Sequence, residues 1–592
     1  MLDACRFLSL HLLLAFGIAL PTTAAEVSEP SDAVVVAAHP TAAQAGITIL
    51  ERGGNAIDAA VATALTLGVA EPWGSGLGGK LIMVYYDAKA GRAFVVESLD
   101  QASRSIDVEA YAALPTQKKR YGATAAAVPG MLAGWSAAHR RWGTLQWADL
   151  VQPAVDAAEN GVVADRYDTS AANTAEDKLI AGQGAEVFLP NGEPPGNGDL
   201  VRYPDLARTL RIIRDQGPGA MYGGPIGEAI ARHVQDAGGW MTPRDFATFR
   251  PYVGHAPSVE FRGRRVAAGA PPATGGASVL LTLACLDLLP EPAATDAAQR
   301  HAETVDATAR VIYHVYPIVR AHLGGRAHPV DSLRRLLQRG KIRDLARAVQ
   351  EFDPSAKAAE ASPIRSRRAL ASILLDERLS CTSHFIVADA HGNVVCATQS
   401  LGHHFGSGVV VPGTGIVLNN SMNNFATRTT RSPNYLGPGI RARSTMAPTL
   451  VIGDDGVELA LGVPGGQRIP TGVLHVLRGI LDEGLTAEEA VDRPRVHVRD
   501  AYNSEAARRE VHLEAGPGVE ALEARLEAAG WDAQIMEESM MYFGGVNVLT
   551  RSKEQPGRVG RWVGVGDDRR TNAALGLNLS VPAAVTTPAA PR

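Results

Sequence analysis

The chain has 592 residues, 46% hydrophobic and 20% charged, which excludes wholesale disorder and leaves ample length for a large buried core. Its formal charge of −5 marks no polyanion partner, so nucleic acid is not expected. Four cysteines exclude a disulfide-built scaffold.

Phe7 to Leu20 is an apolar stretch preceded by Arg6 and followed by the small residues Thr23, Ala24 and Ala25. This reads as a secretory signal over residues 1–25, too short to span a bilayer of roughly 20 helical residues. No later segment is long and apolar enough to cross a membrane, so an exported protein, periplasmic or secreted, is expected. Cys5 leaves with the signal. Cys285, Cys381 and Cys396 remain as buried or free thiols, or with one pair joined.

Thr41–Ala70 is expected as helix, interrupted by a turn at Gly53-Gly54-Asn55. Leu81–Tyr86 and Ala93–Val96 form a hairpin signal. Residues from about 130 to 250 are mostly helical in pattern, as are Asp306–Gly324 and Leu333–Phe352. Asp353–Ser380, with Pro354, Pro363 and a basic run, reads as an exposed, mobile connection. The chain then turns strand-like at His384–Val387, Val394–Thr398, Val409–Val411 and Ile416–Leu418. Helices are expected at Ala487–Val491 and Gly518–Ala529, and disorder from Val581. Interleaved helices and tightly turned strands imply α/β or α+β layers, with antiparallel sheet in the last third.

The composition breaks at Leu379-Ser380-Cys381-Thr382-Ser383-His384. A flexible approach followed by a rigid strand is what a threonine needs to attack its own preceding peptide bond. The α-amine so released can serve as base for the hydroxyl. Taken alone, Thr-Ser at a strand start is usually a structural feature. Pro464-Gly465-Gly466 can aim successive N–H groups at an oxyanion or simply make a tight turn. Arg443-Ser444-Thr445 places two hydroxyls beside a strand. Adjacent histidines on a strand face opposite ways, so His403-His404 is a poor metal site. Gly74–Gly79 lacks the Gly-Lys-Ser/Thr ending of a phosphate loop.

Taken in order, these segments resemble the γ-glutamyltransferase family over roughly residues 33 to 575. The resemblance is carried by Gly53–Ala62, Glu71-Pro72 through Gly79, Val128-Pro129-Gly130, Trp142–Leu145 and Pro271–Gly276. It continues through Thr382-Ser383-His384-Phe385, Phe405–Gly408, Gly415–Asn420 and Pro464-Gly465-Gly466. It implies an α+β fold, the four-layer αββα sandwich of the N-terminal nucleophile hydrolases. It implies one precursor cut between Cys381 and Thr382 into a large chain, 26–381, and a small chain, 382–592, interlocked as one domain. By the same resemblance Thr382 is the nucleophile, Gly465 and Gly466 form the oxyanion hole, and Ser400 orients the nucleophile. Ser444, Thr445, Ser421, Asn424 and Leu99 occupy donor-binding positions. The implied reaction is two-step acyl transfer from a small-molecule amide or peptide donor to water or an amine, with no metal and no organic cofactor.

Three donor contacts depart from the family pattern. Leu99 in Glu97-Ser98-Leu99-Asp100 stands where the family has a carboxylate-binding arginine. Asn424, in Asn419-Asn420-Ser421-Met422-Asn423-Asn424, replaces the acid that meets the donor α-amine. Gly402 replaces an asparagine. Unpaired donor charges in a buried pocket are costly, so weak activity on glutathione is expected. The readings carried forward are a γ-glutamyl hydrolase/transferase, an acylase for another amide such as a β-lactam side chain or secondary metabolite, and a non-catalytic binder. A shifted register that brings Arg104 into the site is the alternative to a lost arginine.

Overall fold

The computed structural model describes residues 25–326, 329–356, 380–499, 509–536, 542–552 and 561–579. The signal, the tail from Val581 and most of the Asp353–Ser380 connection lie outside the described residues.

Two antiparallel sheets lie face to face. The first runs in the order Ala573–Leu577, Ala33–Ala37, Ser380–Ala388, Val394–His403, Lys80–Asp87, Arg92–Ser98, Tyr252–His255. The second runs Glu26–Val27, Trp562–Gly566, Asn547–Arg551, Gly456–Gly462, Thr449–Gly453, Arg264–Ala268, Ser258–Phe261. Strand alternation assigns the layers. Val35, Phe385, Val387, Val395 and Ala397 face a helical layer that includes Pro40–Glu51, Ala56–Ala70 and Met131–Trp142. Their neighbours Val34, Val36, Ile386, Val394 and Cys396 instead meet Leu450, Ala460, Leu549 and Trp562 of the second sheet. The far face of that sheet, with Val266, Val451 and Leu461, packs on helices Thr274–Leu286, Ala297–His322 and Ile469–Leu481. The result is the four-layer αββα sandwich. Strands on both faces are buried, which is why they read as continuous apolar runs rather than as alternation.

The turn at Gly53-Gly54-Asn55 separates two helices as expected, and Asn55 caps the second with Asp58 in a capping box. The hairpin is extended to Lys80–Asp87 and Arg92–Ser98. The helix expected from Asp306 begins at Ala297, and Leu333–Phe352 divides into Pro329–Leu336 and Arg339–Glu351. The sheet is not confined to the last third: Ala33–Ala37, Lys80–Asp87 and Arg92–Ser98 pair with or beside strands from the C-terminal third. Cys285, Cys381 and Cys396 are each buried and unpaired. Among the described residues, no helix is long and apolar enough to cross a membrane.

Candidate active site

Thr382 lies at the start of the Ser380–Ala388 strand, at an irregularity in the ladder. Cys381 pairs with Gly402 and Ser383 with Gln399, so register shifts across Thr382. Thr382 alone thus opposes Ser400 and Leu401, so the extra residue is on the partner strand, and such a bulge breaks the ladder locally and re-aims side chains. The Thr382 hydroxyl donates to Ser400 Oγ at 3.2 Å. Ser400 Oγ also accepts the Gly402 N–H at 2.9 Å and donates to the Cys381 carbonyl at 2.7 Å. One hydroxyl therefore bridges Thr382 and the carbonyl of the peptide bond before it. The freed Thr382 carbonyl accepts from Arg570 Nη1 at 2.7 Å.

Beneath this bulge lies a buried polar cluster. Ser383 donates to Glu71 Oε2 at 2.5 Å. Burial pushes the Glu71 carboxyl up to about 8, opposed by the nearby Arg570 guanidinium and the Ser383 hydroxyl. Burial likewise pushes the Cys381 thiol up to about 12, leaving it an inert neutral group. His384 is buried between the sheets, with Nδ1 against Thr398 Oγ1 at 2.8 Å and Nε2 against Cys396 Sγ at 3.6 Å. Burial pushes it down to about 3, so it is neutral. Its two ring nitrogens are committed to other groups and it offers no base to Thr382.

The Gly466–Arg468 turn lies against the Thr382 strand and opens directly into helix Ile469–Leu481. Gly465 has φ of 129° and Gly466 of 61°, values that favour glycine and turn successive N–H groups at a helix start. Thr445 donates to the Gly466 carbonyl at 2.6 Å, bracing that turn. Ser444 is held through its backbone, its carbonyl accepting the Thr274 N–H at 2.6 Å.

Leu99 is 1% exposed and belongs to the same buried apolar cluster as Ile82, Ala273, Ala277 and Met446. Its N–H is held by Glu97, whose other oxygen takes Arg441 at 2.5 Å. Arg104 is exposed, with its guanidinium on Thr248, and does not join the site. Asn424 is exposed and donates to the Arg443 carbonyl at 3.3 Å. Ser421 is buried, its N–H held by Asn419, which also donates to the Gly78 carbonyl. Its hydroxyl donates to Asp100 at 2.5 Å and accepts from Lys80 at 2.7 Å. Sequence reasoning missed Lys80, Asp100, Glu71 and Arg570. A charged residue at the mouth of an apolar strand was the available signal for Lys80. Nothing local distinguished Arg570.

The four-layer αββα sandwich, with Thr382 at an irregularity opening a central strand, is the fold of the N-terminal nucleophile hydrolase class. The γ-glutamyltranspeptidase family model matches residues 42–577, and the chain belongs to that family. It is 31% identical to the glutathione hydrolase proenzyme of Bacillus subtilis (strain 168), over 94% of this chain and 93% of that one. It is 33% identical to the acylase ACY 1 proenzyme of Pseudomonas sp. (strain SE83), over 79% of this chain and 82% of that one. In fold it is similar to the cephalosporin acylase of Bacillus halodurans, with a TM-score of 0.80 at 24% identity, covering 96% of this chain and 100% of that one. The chain is thus an enzyme of the γ-glutamyltransferase type, a hydrolase/acyltransferase.

Proposed function

We propose that this protein is an exported proenzyme that cuts itself between Cys381 and Thr382 and then uses Thr382 to transfer acyl groups from amides. The observation that carries this reading is the Ser400 hydroxyl, shared between Thr382 Oγ1 and the Cys381 carbonyl. In the uncut chain, Thr382 Oγ1 attacks the Cys381 carbonyl carbon and the developing oxyanion takes the Ser400 O–H. The C–N bond to Thr382 breaks, the hydroxyl proton passes to that nitrogen, and an ester joins Cys381 to the Thr382 side chain. Water then hydrolyses the ester, leaving chains 26–381 and 382–592 with a free Thr382 amine. Both chains contribute strands to each sheet, so they stay interlocked after the cut. Residues 1–25 are removed on export.

In the mature enzyme the Thr382 amine takes the proton from its own hydroxyl as that oxygen attacks the donor amide. Gly465 and Gly466 N–H groups receive the oxyanion, the amine leaves, and water or an acceptor amine resolves the acyl-enzyme. No step requires a metal or organic cofactor.

The glutathione hydrolase relative supports a γ-glutamyl donor and the acylase relative supports another acyl group. Two observations favour the second: Leu99 is sealed in an apolar cluster, and Asn424 is spent on a backbone carbonyl. A panel of γ-glutamyl, glutaryl and neutral acyl anilides tests the reading. Turnover with trapped acylation of Thr382 supports it. Absence of any acylated Thr382 across the panel refutes it.

A further inference from the structure

Helices Thr274–Leu286, Ala297–His322, Pro329–Leu336 and Arg339–Glu351 do not close fully on one another. Between them is a cavity of about 770 Å³, partly open to solvent. Cavities of about 300–1,000 Å³ take drug-sized ligands. Its walls are apolar, built from Leu281, Tyr313, Pro317, Leu336, Ile342 and Leu345. Tyr313 stacks on Phe352 with ring centroids 4.3 Å apart, which fixes that wall. The cavity belongs to the helical layer of the second sheet, whereas Thr382 opens a strand of the first. Neither Thr382, Ser400 and the glycine turn nor Ser444 and Thr445 line it.

An apolar hollow left to water is stabilised by whatever apolar group fills it. Charge decides what the head of that group must be. Residues 329–348 carry six Arg and Lys against two Asp, in a chain of formal charge −5. Both acids already have cations on their own helices: Asp331 has Arg334 at 2.7 Å and Asp344 has Arg347 at 4.0 Å. Arg335 and Lys341 line the cavity and are exposed, so their heads stand at its mouth. Arg335 is steadied by a bond from Nη2 to Ser332 at 2.9 Å, which uses one of five guanidinium donors. An apolar body inside with an anionic head against Arg335 and Lys341 satisfies both features. A cationic head would meet like charges. The apolar surface is concave, so a flat bilayer face would leave it unfilled, while a single free chain can enter it.

We propose that this cavity is a binding site for a free single-chain amphiphile with an anionic head, of the fatty-carboxylate kind, separate from the acyl-transfer site. The assignment does not depend on the reading of Thr382. Titration calorimetry of the purified protein with decanoate, below its micelle concentration, tests it. Decyltrimethylammonium, with the same chain and the opposite charge, is the comparison. Decanoate is expected to bind at one site, about tenfold or more tighter than the ammonium. Ala348 also lines the cavity, and Ala348→Trp, which puts an indole into it, is expected to weaken decanoate by about tenfold or more. Arg335→Gln/Lys341→Gln, at two exposed positions, is expected to cut the charge preference to about twofold or less. That pair carries the test by itself if the tryptophan variant does not melt cooperatively. Decanoate that does not bind, that binds no tighter than the ammonium, or that keeps its affinity and preference in the folded variants would each overturn the assignment. Vesicles of phosphatidylglycerol that sediment the protein while free decanoate does not bind would give this face to a membrane. A dimer dispersed by Ala348→Trp, again without decanoate binding, would give it to a second copy. Either result overturns the proposal.

Discussion

Thr382 Oγ1 and Ser400 Oγ stand 3.2 Å apart on adjacent antiparallel strands, at the one place where the ladder between them slips register. The slip turns Thr382 out of the pairing, and Ser400 meets it.

Ser400→Ala removes the acceptor of the Thr382 hydroxyl and the donor to the Cys381 carbonyl together. Chain separation is expected to slow by about a hundredfold, the scale of losing one oxyanion donor. Ser400→Thr keeps the hydroxyl and is expected to restore cleavage. The time course of the two chains on denaturing gels measures both. An alanine variant that separates at the parental rate would remove Ser400 from the mechanism.

Glu71 makes stability pH-dependent. Its folded carboxyl is raised from 4.5 to about 8 by burial, so between those values the folded chain holds a proton that the unfolded chain has lost. This stabilising contribution is complete below 4.5 and disappears as pH rises through about 8. Glu71→Gln keeps the Ser383 partner without the titration. Melting temperatures from about pH 5 to 9 are expected to fall less steeply in the variant than in the parent. Parallel curves would contradict the burial argument.

Much of this architecture is legible in the residues. Thr382, Gly465 and Gly466 stand in local motifs whose chemistry needs a strand start or tight backbone approach, and adjacent helices announce themselves through Asn55. The helix Thr274–Leu286 carries little helical signal because it is nearly all buried, which removes the polar stripe that periodicity depends on. Of the early strands the hairpin over 81–96 is legible from its turn, whereas Ala33–Ala37, buried on both faces, lacks the alternation that marks a strand. Lys80 and Asp100 were invisible as a pair. Neither sits in a recognisable spacing, and only the pairing of Lys80 with Ser400 brings them to the site.

Thr445 donates to the Gly466 carbonyl, and on the proposed reading this bond braces the turn that carries the oxyanion hole. Thr445→Val is expected to cost about 1 kcal/mol, roughly fivefold in kcat, with KM little changed. Thr445→Ser is expected to recover the parental value. A rise in KM at constant kcat would instead place the hydroxyl on the donor.

The central claim is that Thr382 severs its own peptide bond. Denaturing electrophoresis with intact mass on the parent and on Thr382→Ala tests it most directly. The account predicts two chains in the parent, with the smaller beginning at Thr382, and one uncut chain in the variant. A parent that stays whole, or a variant that still divides at Cys381, would contradict it, and a parent that stays whole would bring a ligand-binding role without catalysis to the front.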